Sequence, residues 1–277
     1  MALAEFSEWI GDARFGGFEG GEGLPVVFLH AGVADHRMWR DAMEMVVAAG
    51  YRAFAYDRRG FGLTESPDEP FSHIDDLEAV LDARGIQAAV LVGASMGGAL
   101  ALDFALENPE RIAGLVLVGT ALSGADEPDL PDEILPLIEA MDIADERGDR
   151  DMQIKVAAHA WLDGPLSRNG RVEGPARVLF EEMNAAIYAK PQLSEEIEAE
   201  SIVDDLEEIT APTLLVVGEL DFPHIIARHD DLSDVLENTF ATIVEGTAHL
   251  PPLERPAVFN RLLQEFLEAI TGQAPDA

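Results

Sequence analysis

Residues 88–107 read Ala88-Ala-Val-Leu-Val-Gly93-Ala-Ser95-Met-Gly97-Gly-Ala-Leu-Ala-Leu-Asp-Phe-Ala-Leu-Glu107. Ala88 to Val92 is an unbroken apolar run, the pattern of a parallel strand buried on both faces. Residues 96–107 have helical spacing, and Pro109 marks the end of that helix. Between the two lies Gly93-Ala-Ser95-Met-Gly97, a G-x-S-x-G pentapeptide in a strand-to-helix context. So sharp a turn forces Ser95 into a strained backbone conformation, and the flanking residues must lack a Cβ to avoid collision. Ser95 then projects its hydroxyl over the strand ends, at the positive terminus of the following helix. A Gly-rich strand end can also be a plain packing turn, so the chemistry must be judged by its partners.

Working outward, Pro25 to His30 reads as a buried strand, 35–49 as a helix closed by Gly50, and Tyr51 to Tyr56 as a strand running into Asp57-Arg-Arg-Gly-Phe-Gly62. An amphipathic helix follows over 72–84, then the quoted strand and helix, then a strand over 112–118. The pattern resumes with strand Thr213 to Val217, helix 224–237, strand Ala241 to Val244 and a last helix from Pro256 to Ile270. Strands alternating with helices predict an α/β fold: a mostly parallel central sheet covered by helices on both faces. Gly16 to Gly23 reads only as a Gly-rich approach to the first strand. Residues 124–205 contain no strand-like run and read as short helices inserted between two strands. Such an insertion must lie outside the sheet, and its natural place is over the strand ends. The organisation expected is a core over 1–123, a helical lid over 124–205 and the rest of the core over 206–277.

A serine hydroxyl is a weak nucleophile until a base takes its proton, and the base is held in one tautomer by a carboxylate. After the strand at 213–217 comes Gly218-Glu-Leu-Asp221, and after the strand at 241–244 comes Glu245-Gly-Thr-Ala-His249. Both follow strand C-terminal ends, as Ser95 does, which is where open α/β sheets place their sites. Glu219 and Asp221 both qualify as the acid, whereas Gly119-Thr-Ala-Leu-Ser-Gly124 offers no carboxylate before Asp126.

These residues resemble the α/β-hydrolase fold superfamily in its serine-nucleophile branch. His30-Ala-Gly-Val33 is similar to the H-G-x-G stretch of that family, with Ala31 where Gly is usual. Asp57 to Gly62 is similar to its D-x-R-G-x-G turn, and the nucleophile, acid and histidine loops follow in order between about 25 and 250. The resemblance implies a triad of Ser95, His249 and Asp221, the residue further from the strand being the usual acid. It implies oxyanion donors at the backbone N–H groups of Gly32 and Met96, with Val33 as the substitute should Ala31 shift the loop. His30 would orient that loop. The stretch ending Arg37-Met-Trp39 looks closest to enol-lactone hydrolases and carboxylesterases. The function expected is a serine hydrolase cleaving a small ester or lactone through an acyl-enzyme, without a cofactor. Carbon–carbon bond hydrolysis, perhydrolysis or acyl transfer by the same triad, or a ligand-binding signalling protein, are the alternatives. Leu122, Met141, Trp161, Met183 and Phe222 are the residues expected in an apolar pocket wall. His36, His73 and His159 lack a paired-carboxylate pattern and read as surface or packing residues. His224 and His229 lie five apart on different helix faces, so no metal site is expected.

The composition limits partners. With 48% hydrophobic and 26% charged residues the chain can build a core, and with no cysteine it has neither disulfides nor thiolate metal sites. Acids outnumber bases 53 to 18, a net charge of −35, and Lys155 and Lys190 are the only lysines. Never more than two acids are adjacent, so the charge is spread over the surface. Nucleic acid and anionic membrane are poor partners for that field. The N-terminus has acids and no apolar segment of signal-peptide type, so a cytoplasmic setting is expected, and the scarcity of lysine points to a high-salt one. Like charges repel across a Debye length of about 10 Å at 0.1 M and about 3 Å at 1 M salt. The melting temperature should therefore climb from roughly 0.05 M to about 1 M KCl; a flat melting curve over that range would remove the high-salt reading. Oligomeric state is not legible.

Overall fold

The computed structural model describes residues 2–272. A single sheet carries eight strands in the order β1-β2-β4-β3-β5-β6-β7-β8. These are β1 (Ala4–Ile10), β2 (Ala13–Gly20), β3 (Pro25–Leu29), β4 (Arg52–Tyr56), β5 (Ala89–Ala94), β6 (Ile112–Val118), β7 (Thr213–Gly218) and β8 (Thr239–Val244). From β4 through β8 every pairing is parallel, while β1 and β2 form an antiparallel hairpin whose second strand pairs antiparallel with β4.

That hairpin is a correction to the sequence reading, which saw only a Gly-rich approach. Glycine weakens a strand pattern, but Gly17 is needed here because a Cβ on it would lie 2.0 Å from Ala55 O of the neighbouring strand. Elsewhere the expected elements appear within a few residues of their predicted ends. The helices are α1 (Arg40–Ala48), α2 (His73–Ala83), α3 (Met96–Glu107), α4 (Leu135–Arg147), α5 (Arg150–Ala157), α6 (Pro175–Ala189), α7 (Pro223–Val235), α8 (Pro251–Glu254) and α9 (Pro256–Thr271).

The continuous apolar strands are explained by burial on both faces. Val26, Phe28, Val90 and Val92 face one core, built with Trp39, Met43, Phe259 and Leu263 of the helices on that side. Val27, Leu29 and Leu91 face the other, built with Leu77, Leu81, Leu102 and Phe104. Alternation along a strand thus feeds two cores, and neither face is left for water.

The chain leaves β3 toward β4 on one side and later enters β5 on the other, so the loops after β3 and β5 diverge from neighbouring strands. Such a switch point opens a crevice at the strand C-terminal ends. Residues between β6 and β7 supply α4, α5, a π-helical turn at Ala158–Asp163 and α6, then an extended strap. The strap is pinned to the core: Ile197 N–H donates to Phe71 O at 2.8 Å, and Lys190 Nζ donates to Phe61 O and Thr64 O. Among the described residues no helix is long and apolar enough to cross a membrane.

Candidate active site

Ser95 caps α3 with φ 53° and ψ −118°, a left-handed backbone that non-glycine residues rarely adopt. The neighbouring glycines make this turn possible. A Cβ on Gly93 would lie 2.2 Å from Gly97 O, and one on Gly97 would lie 2.2 Å from Leu29 O. The Ser95 turn is thus wedged between its own helix and the end of β3. Met96 is the first residue of α3, where N–H groups have no intrahelical acceptor.

The loop after β3 is fixed by hydrogen bonds to one carbonyl. Ala31 O accepts from His30 Nδ1–H at 2.8 Å and from Ala34 N–H at 3.2 Å. A trans peptide sets its N–H opposite its C=O, so holding Ala31 O also aims Gly32 N–H. Gly32 faces Met96, for a Cβ on it would meet Met96 Sδ at 2.5 Å. The Gly32 backbone therefore packs against the Met96 side chain.

His30 is fully buried, and its Nε2 accepts from Arg58 N–H at 3.1 Å, which completes a neutral ring. Burial first, and the Arg58 charge second, push its pKa down to about 4. An unfolded chain protonates this imidazole near 6.5, so between those values the unfolded state binds more protons and stability falls as pH drops. From this ring alone the loss should reach about 3 kcal/mol by pH 4. Denaturant melts at pH 7 and pH 4.5 should show that slope, and His30→Gln should flatten it.

The acid and histidine loops converge on the end of β6. Asp221 Oδ2 accepts from His249 Nδ1–H at 2.8 Å, and both side chains are buried. Asp221 Oδ1 accepts from Phe222 N–H at 2.8 Å, so the carboxylate is oriented at both oxygens. Glu219 points elsewhere: it is exposed, and its Oε2 accepts from Gly246 N–H. Gly119 shows how close these parts are. A Cβ there would lie 3.0 Å from both Asp221 Oδ2 and His249 Nδ1, while the preceding carbonyl, Val118 O, accepts from Ser95 N–H at 2.9 Å. The remaining ring nitrogen, His249 Nε2, is buried without a hydrogen-bond partner among the described residues. A buried imidazole with one nitrogen on a carboxylate and the other unsatisfied is a ready proton acceptor.

The segment between β6 and β7 grips the loop that carries His249 and the loop after β3, which the sequence did not announce. Trp161 O, in the π-helical turn, accepts from His249 N–H at 3.2 Å, and its ring lies 4.7 Å from the His249 ring. Arg171 donates to Asp163 O, Leu162 O and Gly246 O, and it pairs with Glu254. Glu254 accepts in turn from Ala248 N–H and Leu250 N–H, one on each side of His249. Burial pushes the Glu254 carboxyl up to about 7, against the pull of Arg171. On the opposite side Asn184 Nδ2 donates to Val33 O at 2.9 Å. Displacements near 1 Å in such a site cost roughly 10²-fold in rate. Arg171→Met should therefore lower kcat by roughly that factor with little change in KM, and Arg171→Lys should recover part of it. Steady-state kinetics beside a melting curve will separate this from simple destabilisation.

Of the five residues expected in a pocket wall, Leu122 lines a cavity beside Met96, and the Trp161 ring packs, tilted, against Phe222 with centroids 4.6 Å apart. Met141 packs in the same cluster, whereas Met183 is buried against the loop after β3, its Sδ 3.5 Å from Asp35 N. One expectation is corrected. His36 has a carboxylate partner: its Nδ1–H donates to Asp57 Oδ2 at 2.7 Å, and both residues are buried. Their spacing of 21 residues across a strand gave no local signal. Asp35, His36 and Asp57 cluster as metal ligands would, but Asp57 already accepts from His36 and Leu63 N–H, and Asp35 holds Arg37. Their oxygens are satisfied by protein protons.

A strained serine and a buried Asp–His pair thus come together at the strand C-terminal ends of a parallel sheet covered on both faces. The chain belongs to the alpha/beta hydrolase family, whose pattern it matches over residues 26–262. It is 27% identical over 261 residues to the non-heme chloroperoxidase CPO-A1 of Kitasatospora aureofaciens, covering 89% of this chain and 93% of that protein. It is 39% identical over 114 residues to the 2-hydroxy-6-oxo-6-phenylhexa-2,4-dienoate hydrolase of Comamonas testosteroni, a match to 39% of this chain and 40% of that one. The fold is also that of a thermophilic esterase from Thermogutta terrifontis, at 23% identity and a TM-score of 0.72, covering 96% and 99% of the two chains.

Proposed function

We propose that this hydrolase cleaves a small carboxylic ester or lactone through an acyl-enzyme on Ser95. The observation that carries the reading is the convergence at Gly119: the strained Ser95 turn on one side, and on the other the Asp221–His249 pair with its unsatisfied Nε2. Ser95 Oγ attacks the carbonyl carbon while His249 Nε2 takes its proton. Negative charge gathers on the carbonyl oxygen, where the N–H groups of Gly32 and Met96 stabilise it by a few kcal/mol each. Collapse expels the alcohol oxygen, which leaves with the proton from His249. Water, deprotonated by the same nitrogen, then releases the acid and restores Ser95.

Residues 124–205 serve as the lid. Their helices and strap roof a cavity of about 550 Å³ that reaches Met96, which suits a small substrate. A second reading, transfer of the acyl group to hydrogen peroxide in place of water, draws support from the similarity to CPO-A1 over nearly the whole chain. A panel of p-nitrophenyl esters of graded acyl length, with and without peroxide, tests both. Burst release of p-nitrophenol with continuing turnover supports the hydrolase; tight binding without turnover refutes it; peroxide-dependent oxidation of a dye would favour the second reading.

A further inference from the structure

The π-helical turn at Ala158–Asp163 belongs to the segment between β6 and β7, yet it reaches the Asp221–His249 pair. Such turns are rare and occur mostly at functional sites. Gly164 ends this one at φ 97° and is wedged between the loops that carry Asp221 and His249. A Cβ on it would lie 2.4 Å from Leu220 O and 3.3 Å from Ala248 Cβ, which belong to the residues just before that pair. Arg171 holds the turn down by donating to Leu162 O and Asp163 O. The buried Asp163 carboxylate closes it by accepting from Gly170 N–H and Val172 N–H.

What the turn delivers is Trp161. Its carbonyl accepts from His249 N–H, and its indole lies against the imidazole with centroids 4.7 Å apart and planes tilted by 51°. The same indole packs on Phe222, whose N–H orients the Asp221 carboxylate. Backbone and ring are thus both held against the Asp221–His249 pair.

The chemistry of that contact follows from the charge that develops there. Asp221 already meets His249 at Nδ1 and supplies the counter-charge. When Nε2 takes the Ser95 proton, the ring becomes a cation in a place where it is only 1% exposed to water. An indole attracts a cation within about 6 Å of its centroid, and most strongly where water is excluded. The neutral imidazole gains far less from the same ring, so the attraction grows as the proton moves. An interaction that strengthens toward the transition state lowers the barrier. An aliphatic side chain in this position would shield His249 from water but would offer no such electron density.

We infer that Trp161 is a positioning residue of the base: its indole holds the His249 imidazole and stabilises the imidazolium that forms when Ser95 gives up its proton. The inference rests on the hydrolase reading above and deepens it, because a residue of the segment between β6 and β7 then serves the proton transfer itself.

The test reads that transfer through a small alkyl fluorophosphonate, for which no natural substrate need be known. Ser95 Oγ bonds to phosphorus, the P–F bond breaks, fluoride leaves, and the serine proton passes to His249 Nε2. The limiting labelling rate at saturating probe should fall roughly ten- to thirtyfold in Trp161→Leu. It should fall only about threefold in Trp161→Phe, which keeps an aromatic ring. Should Trp161→Leu fail to fold, a second series decides: replacement of Trp161 alone by mono-, di- and trifluorotryptophan, which drains electron density from the ring and keeps its shape. The rate should then fall stepwise, by about tenfold at three fluorines. A rate indifferent to fluorination overturns the inference, as does a Trp161→Leu rate equal to that of the wild type. Wild-type protein that fails to label at Ser95 defeats the hydrolase reading itself, whereas labelling that ignores the Trp161 ring removes only the role given to Trp161.

Discussion

Ser95→Ala is expected to lower kcat by roughly 10⁴–10⁶ while leaving the fold and substrate binding nearly intact. The hydroxyl is the only atom lost, and alanine meets the same backbone strain at φ 53° that serine already bears. The glycines that admit the turn are untouched, and so are the N–H groups of Gly32 and Met96. What remains is a site that still polarises a carbonyl but has no group to form the acyl bond, hence a residual rate above water and far below wild type. A fluorophosphonate should label Ser95 in the wild-type protein and nothing in the variant. Labelling at another residue, or activity that survives the substitution, would end the assignment of Ser95 as nucleophile.

Asp221→Asn should cost on the order of 10⁴ in kcat. The carboxylate accepts the His249 Nδ1 proton at 2.8 Å and so leaves Nε2 bare to receive the serine proton. An amide can present its NH₂ to Nδ1 instead, which moves the ring proton to Nε2 and removes the base. The imidazolium formed during attack also loses its counter-charge in a buried site. Glu219→Gln is the matched control, since that side chain is exposed and needs only an acceptor for Gly246 N–H, which glutamine keeps. Its effect should stay within a few-fold. Reversed outcomes for the two substitutions would transfer the acid role to Glu219.

The sequence by itself determined the six parallel-paired strands of the sheet and the strand ends at which Ser95, Asp221 and His249 lie. Strands such as Val26–Leu29 and Val90–Val92 are continuous apolar runs because two cores need them, and that pattern is local and readable. The nucleophile turn is equally local, since a left-handed serine between glycines is a constraint within five residues. The hairpin over 4–20 was not legible, because the glycine that makes β2 possible answers to a backbone oxygen of β4.

Tertiary structure alone decided everything that depends on which groups meet across long separations. It brought Asp221, and not Glu219, to His249, because the loop after β7 turns one carboxylate inward and leaves the other on Gly246. It paired His36 with Asp57, tied Arg171 and Glu254 to the histidine loop, and set Asn184 on the loop after β3. It also laid the Trp161 ring against the His249 imidazole. Periodicity reports which face of an element is buried, for burial has a repeat along the chain. A hydrogen bond between residues dozens of positions apart has no repeat, and its existence depends on where the fold finally places both ends.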